Sequence, residues 1–274
     1  MKRIYLLLLL ISTIQLLSAK DIINFAPLPL EKSIKNIEEF LPMNTFLKEK
    51  LQIDIKYIYK KDYADIIKGF ADGSIDIAYL GPLPYLYLKK HYKDAVPIVT
   101  FRQVNGESNY RCVLAKFKDD IIDKSQTLKI ALTQPLSTCG YYMTNILLSE
   151  KFDINISKQH YNYTMSHSNA LIQTLEGKFI LAGAKDTIAK QYETLGMEII
   201  AQSHPLPGFS LVVNTKTLTP KQIGDIQKTL LTIPENIYKH WGGITSRGMI
   251  QSSLKEYERM KVDFDTIPLK GNMP

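Results

Sequence analysis

The sequence predicts an α/β fold of two lobes, and three observations carry that prediction. From residue 21 onward, short β-branched and aromatic runs alternate with stretches of helical periodicity, as in sheets built with helical crossovers. The chain also echoes itself. Phe70-Ala71-Asp72-Gly73-Ser74-Ile75-Asp76-Ile77-Ala78 is matched by Thr174-Leu175-Glu176-Gly177-Lys178-Phe179-Ile180-Leu181-Ala182. In each, a helical face closes on glycine and an apolar strand follows, which suggests a repeated lobe. Finally, 274 residues at 45% hydrophobic and 22% charged can hold one large domain or two lobes, and exclude a disordered or fibrous chain.

Taken in order, Asp21 to Ala26 reads as the first strand, ended by Pro27 and Pro29. Ile34, Ile37 and Phe40 mark a helical face, and Pro42 restarts a second helical stretch through Phe46, Leu47 and Leu51. Ile53 to Tyr59 alternates as a strand does. Asp62 caps a helix carrying Tyr63, Ile66, Ile67 and Phe70, and Ile75 to Leu80 is a strand broken by Gly81-Pro82. A helix with Tyr85, Leu86 and Leu88 leads to a strand over Val96 to Phe101, a turn around Gly106 and a strand over Tyr110 to Lys116.

Leu128 to Leu132 is the central strand, with a helix starting near Gly140. His160 to Tyr163 is a short strand, and Ser166 to Asn169 opens a helix that closes at Gly177. The apolar run that follows ends in a loop over Gly183 to Thr187, where Lys185, like Arg111 earlier, reads as a surface charge. Pro205, Pro207 and Gly208 break the chain before a strand over Ser210 to Asn214. Thr219-Pro220 starts a helix with proline at its first position, and Leu254 to Met260 is the last amphipathic segment.

Lys2-Arg3, the apolar run from Ile4 to Leu10 and the small pair Ser18-Ala19 form a secretory signal peptide over residues 1–19. An uncleaved anchor is the alternative. No cysteine follows the run to take a lipid, so a soluble exported chain is expected. The net charge of +7 is spread along the sequence, without a dense basic block, a zinc pattern or a helix-turn-helix signature. Nucleic acid is therefore not an expected partner, whereas a basic balance suits an anionic ligand. Cys112 and Cys139 are the only cysteines. Export permits a disulfide, but a chain of this size builds its core without one, and two separate thiols are the expectation.

The stretch Thr133 to Tyr142 concentrates the chemistry. It lies between a strand and a helix start, where backbone N–H groups lack intrahelical partners. Ser137 and Thr138 can cap that helix, and with Gly140 they can cradle a tetrahedral oxyanion; the roles are compatible. Ser137, His167 and Asp186 could be strung into a triad, but no Gly-x-Ser-x-Gly elbow surrounds Ser137. The expectation is a binding protein rather than an enzyme, with no cofactor.

Five stretches in order resemble the phosphate-, phosphite- and phosphonate-binding periplasmic proteins of ABC importers. They are Asp62 to Ile67, Asp76 to Pro82, Tyr110 after its glycine turn, Ser137 to Tyr141, and His167 to Leu171; Pro205 to Gly208 is similar to the family's return between lobes. The resemblance implies a type II periplasmic binding protein fold, with residues 20–109 plus 211–274 as one lobe and 110–210 as the other. It implies that Ser137, Thr138, Cys139, Gly140 and His167 hold a phosphorus oxyanion, that Tyr63 and Tyr110 line the cleft, and that Asp186 joins the ligand-binding set, where it could accept a proton from a monoprotonated oxyanion and so disfavour sulfate. It further implies a periplasmic monomer serving an ABC permease, the alternative being a sensory module that works with a membrane receptor or histidine kinase. Two departures narrow the ligand. Cys139 stands where the family commonly has serine, and Phe209 stands where members that hold aminoalkyl phosphonates place an acid. Phosphate, phosphite or methylphosphonate then fits better than 2-aminoethylphosphonate.

Overall fold

A computed structural model describes residues 22–28 and 33–271, leaving aside the side chains of 33–36. The signal-peptide assignment, residues 1–19, lies outside the described residues.

Two sheets form the two lobes. The first has six strands in the order β13-β4-β12-β3-β1-β2. These are β1 (Ile22–Ala26), β2 (Asp54–Tyr57), β3 (Ile77–Leu80), β4 (Ala95–Phe101), β12 (Ser210–Asn214) and β13 (Met249–Gln251). The second has five, in the order β10-β6-β9-β7-β8: β6 (Cys112–Phe117), β7 (Lys129–Leu132), β8 (His160–Tyr163), β9 (Leu181–Lys185) and β10 (Met197–Gln202).

The internal echo marks corresponding places in the two sheets. In the first, β1 runs parallel to β2 and β3, and β12 is antiparallel to β3 and β4. In the second, β7 runs parallel to β8 and β9, and β6 is antiparallel to β9 and β10. Gly73 and Gly177, the echoed glycines, both take positive φ just past their helices (+78° and +74°), a conformation glycine adopts at little steric cost.

Helices α1 (Ser33–Leu51), α2 (Tyr63–Ala71), α3 (Pro82–His91) and α7 (Pro220–Leu231) belong to the first lobe; α4 (Met143–Phe152), α5 (His167–Leu175) and α6 (Asp186–Ala189) belong to the second. Short turns α8 (Glu235–Tyr238) and α9 (Leu254–Glu258) lie in the C-terminal region. Asp62 caps α2 by accepting from Asp65 N–H at 2.9 Å, and Thr219 with Gln222 forms a capping box on α7. Pro42 does not restart a helix as expected: α1 runs through it. The burial of Phe40, Met43 and Leu47 on one face holds that helix against the first sheet across the proline.

The chain crosses between lobes through a two-stranded ribbon, β5 (Asn109–Tyr110) with β11 (Leu206–Pro207). Past the ribbon, Ser210 to Asn214 lies wholly buried inside the first sheet. Side chains also cross. Leu83 of α3 sits in the second lobe's apolar cluster with Leu132 and Leu147, while Leu136, Cys139 and Met143 join the first lobe's cluster. The lobes are therefore packed face to face, as in a closed two-lobe form.

The expectation of two separate thiols is overturned. Cys112 and Cys139 form a disulfide with Cα atoms 5.1 Å apart. It joins the first residue of β6, next to the crossing ribbon, to the loop after β7. Sequence spacing could not show this, because only the pairing of β6 with β9, itself beside β7, brings the two positions together.

Candidate functional site

The strand ends of the two sheets meet at a small cavity. Ser137, Thr138, Cys139 and His167 line it from the second lobe, Tyr63, Gly81, Pro84 and Phe209 from the first, and Tyr110 from the crossing ribbon. Space open to the centre of a water-sized sphere is about 10 Å³, room for about one water. Six of the eight residues singled out by sequence thus come together. Gly140 and Asp186 stand outside the lining.

The loop after β7 is shaped by its own backbone. Ser137 N–H donates to Gln134 C=O at 2.9 Å, and Gly140 N–H to Ser137 C=O at 3.0 Å. A Cβ at Gly140 would lie 2.8 Å from Gln134 C=O and 3.1 Å from Thr133 Oγ1, so glycine permits the close turn. The helix expected to start near Gly140 begins at Thr138, as a wide helical turn over Thr138–Tyr142 that leads into α4. Ser137 precedes that turn in extended conformation but makes no side-chain cap bond. Its hydroxyl is not committed to capping.

Thr138 Oγ1 accepts from Leu83 N–H of α3 at 3.1 Å. A hydroxyl that accepts keeps its own hydrogen to donate, so this bond links the lobes and orients Thr138 as a donor. A second link comes from Gln134, whose Oε1 accepts from Tyr63 N–H at 3.3 Å while its Nε2 donates to Met165 C=O at 3.2 Å.

His167 opens α5, after Ser166 caps it by accepting from Asn169 N–H at 3.1 Å. The imidazole is buried, and Nδ1 accepts from Lys185 N–H at 3.0 Å. Burial first, and the Lys185 charge second, push its pKa from 6.5 down to about 3. At neutral pH the ring is uncharged with its proton on Nε2, which makes Nε2–H its donor at the cavity.

Tyr110 is buried, and burial holds its phenol protonated, far above the usual range. The hydroxyl lies beside Thr138 yet has no partner of hydrogen-bond geometry. A buried unpartnered hydroxyl costs about 1–3 kcal/mol. A ligand oxygen in the cavity would remove that penalty.

Lys185 is not the surface charge expected. Its Nζ donates to Gln103 Oε1 at 2.6 Å and sits 5.3 and 5.1 Å from the ring centroids of Tyr110 and Phe209. Burial, assisted by the Arg247 charge, pushes its pKa down to about 8, against the pull of Asp186 and Glu39. A single lysine at a strand end carries no pattern that would have revealed this. Arg111 is also engaged, donating to Ser203 C=O at 2.6 Å. Asp186 starts α6, its N–H donating to Arg111 C=O at 3.0 Å, and its Oδ1 is buried without a partner. No cluster of metal-ligating side chains exists among the described residues.

Two α/β lobes, a crossing ribbon and a cavity between strand ends define the periplasmic binding protein fold. Within that class, the chain belongs to the family of periplasmic substrate-binding proteins of ABC phosphonate transporters, whose sequence model matches residues 25–257. The phosphate-import protein PhnD of Mycolicibacterium smegmatis is 24% identical over 136 residues, 47% of this chain and 42% of that protein. The chain thus spans about two fifths of the curated relative it matches. PhnD1 from Prochlorococcus marinus, solved in complex with methylphosphonate, superposes with a TM-score of 0.74 at 14% identity, covering 88% of this chain and 96% of that one. A binding protein component of an ABC phosphonate transporter from Pseudomonas aeruginosa gives 0.69 at 18% identity, covering 88% and 84%. At these identities the structures establish the shared fold.

Proposed function

We propose that this chain captures a small phosphorus oxyanion between its lobes and presents it, in the periplasm, to an ABC permease. The observation that carries the reading is the convergence of Ser137, Thr138, neutral His167 and the unpartnered Tyr110 hydroxyl on one small cavity. All are hydroxyl or N–H donors, the type an anionic oxygen accepts from, and charge-assisted bonds of this kind are about twice as strong as neutral ones. They are held by bonds to backbone or by burial, so little reorganisation opposes binding. Phosphate in the name of the mycobacterial relative and methylphosphonate in the marine structure support a small tetrahedral ligand.

In this reading the lobes divide at 109/110 and 210/211, residues 1–19 direct export, and the protein acts as a monomer without catalysis. Ligand draws the lobes together about the β5–β11 ribbon, and the Leu83–Thr138 and Tyr63–Gln134 bonds form as the closed state that a permease recognises. Capture calls for micromolar or tighter binding, about −8 kcal/mol or stronger. Calorimetry on the chain from Lys20, with phosphate, phosphite, methylphosphonate, 2-aminoethylphosphonate and sulfate, tests it. Tight binding of one phosphorus oxyanion with sulfate excluded is the expected result. Absence of binding across the panel contradicts it.

A further inference from the structure

Lys185 carries an inference beyond the donor set, resting on the reading of this cavity as the oxyanion site. Its backbone N–H holds His167 Nδ1 at 3.0 Å, so the residue is tied to the donors themselves. Its ammonium reaches Gln103 Oε1 at 2.6 Å, and Gln103 is buried. The Nζ lies over Tyr110 and Phe209, whose rings line the cavity and stand 5.2 Å apart. Among the described residues, no carboxylate comes within 4.0 Å of it.

Other ionisable groups act on Lys185 from a greater distance: Asp186 next in the chain, Glu39 of α1, Arg247 near β13 and neutral His167 of α5. The ammonium is therefore packed against a neutral amide and two aromatic faces, and the Asp186 and Glu39 carboxylates act on it only from beyond ion-pair distance. A charge placed in that way gains from an anion that comes closer. Phe209, rather than an acid, lines the cavity from the first lobe, and Asp186 stands outside the lining.

We propose that Lys185 is the specificity-determining residue of the cleft: its positive charge favours a doubly negative, compact phosphorus oxyanion and rejects phosphonates that carry an ammonium arm. An uncharged binding site would separate phosphite from 2-aminoethylphosphonate by size alone. Lys185 adds a sign. The ammonium of an aminoalkyl arm meets a fixed like charge, whereas a second negative charge on the oxyanion is drawn toward it through the Tyr110–Phe209 wall.

The test is calorimetry at pH 7 with phosphite, methylphosphonate and 2-aminoethylphosphonate on the wild type, Lys185→Met and Lys185→Glu, with the melting temperature of each recorded. Methionine keeps much of the length of the lysine stem and removes the charge, so it serves if the glutamate variant does not fold. Lys185→Met should lower phosphite affinity by about 10-fold or more and narrow the phosphite to 2-aminoethylphosphonate ratio by a similar factor. Lys185→Glu should shift that ratio further toward 2-aminoethylphosphonate. An unchanged ratio in a folded Lys185→Met protein overturns the inference while wild-type binding keeps the oxyanion reading intact. If the wild type binds none of the three ligands, nor phosphate, the oxyanion reading falls and this inference with it.

Discussion

The two lobes share a strand order but face the cavity with opposite chemistry. In the second, the turn after β7 and the start of α5 deliver Ser137, Thr138 and His167, and β9 ends on Lys185. In the first, the corresponding strand β3 ends on Gly81 and proline-rich α3, and β12 is preceded by Phe209. One lobe supplies side-chain donors and charge; the other supplies apolar walls and the backbone N–H groups of Leu83 and Tyr63, which bond to the opposite lobe. On the proposed reading a duplicated fold thus divides the work, the second lobe recognising the ligand and the first closing over it.

The largest effect that would sharpen this comparison comes from stripping the second lobe. Replacing Thr138 and His167 together by alanine should weaken oxyanion binding 100-fold or more, since each removes a bond to a charged group worth about 1.5–3 kcal/mol. Equilibrium dialysis with radiolabelled ligand measures it. An affinity within a factor of about three of wild type would place the ligand elsewhere.

His167 should also make the second lobe acid-sensitive. Its pKa is depressed to about 3 in the fold from 6.5, so between those values the unfolded chain binds the extra proton. Stability is full above pH 6.5 and is lost as pH falls toward 3, by on the order of a few kcal/mol. Denaturant melts of wild type and His167→Gln across that range should differ in slope, with the variant flatter. Parallel slopes would mean the imidazole is not buried neutral.

The disulfide ties the loop that carries Ser137 and Thr138 to the start of β6, beside the crossing ribbon, a link with no counterpart in the first lobe. Closing a loop over a separation of 27 residues should contribute about 3–4 kcal/mol in the chain-entropy account. Cys112→Ser with Cys139→Ser should lower the urea midpoint accordingly, and reductant should act on the wild type but not on the double variant.

Tyr110→Phe gives the smallest effect, and one of divided sign. Removing a buried hydroxyl that lacks a partner should stabilise the unliganded protein by about 1 kcal/mol, while ligand affinity falls by up to roughly 10-fold. Melting temperatures with and without ligand separate the two. A loss of stability in the unliganded protein would show that the hydroxyl is already satisfied.

Much of this arrangement was legible in sequence because periodicity and turn chemistry are local. Gly73 and Gly177 announced the repeat, Asp62, Ser166 and Thr219 announced their helices, and the hydroxyl pair Ser137-Thr138 announced the donor loop. What escaped depends on long-range neighbours. The strands over Met197–Gln202 and Met249–Gln251 are edge strands, fixed by pairing with Lys116 and Thr100 rather than by their own pattern. The Cys112–Cys139 bond and the inward turn of Lys185 arise where β6, β9 and the crossing ribbon meet. Pro42 misled because burial of one helical face outweighed the missing hydrogen bond.

The most direct test of the account is nitrogen NMR of the five histidines, with His167→Gln used to assign the signal, during titration with phosphite at pH 7. The account predicts a neutral ring protonated on Nε2 before ligand is added, a shift of the Nε2–H signal on binding, and an unmoved Nδ1 still accepting from Lys185 N–H. A ring that titrates near pH 6.5, or an Nε2 signal indifferent to saturating ligand, would contradict it.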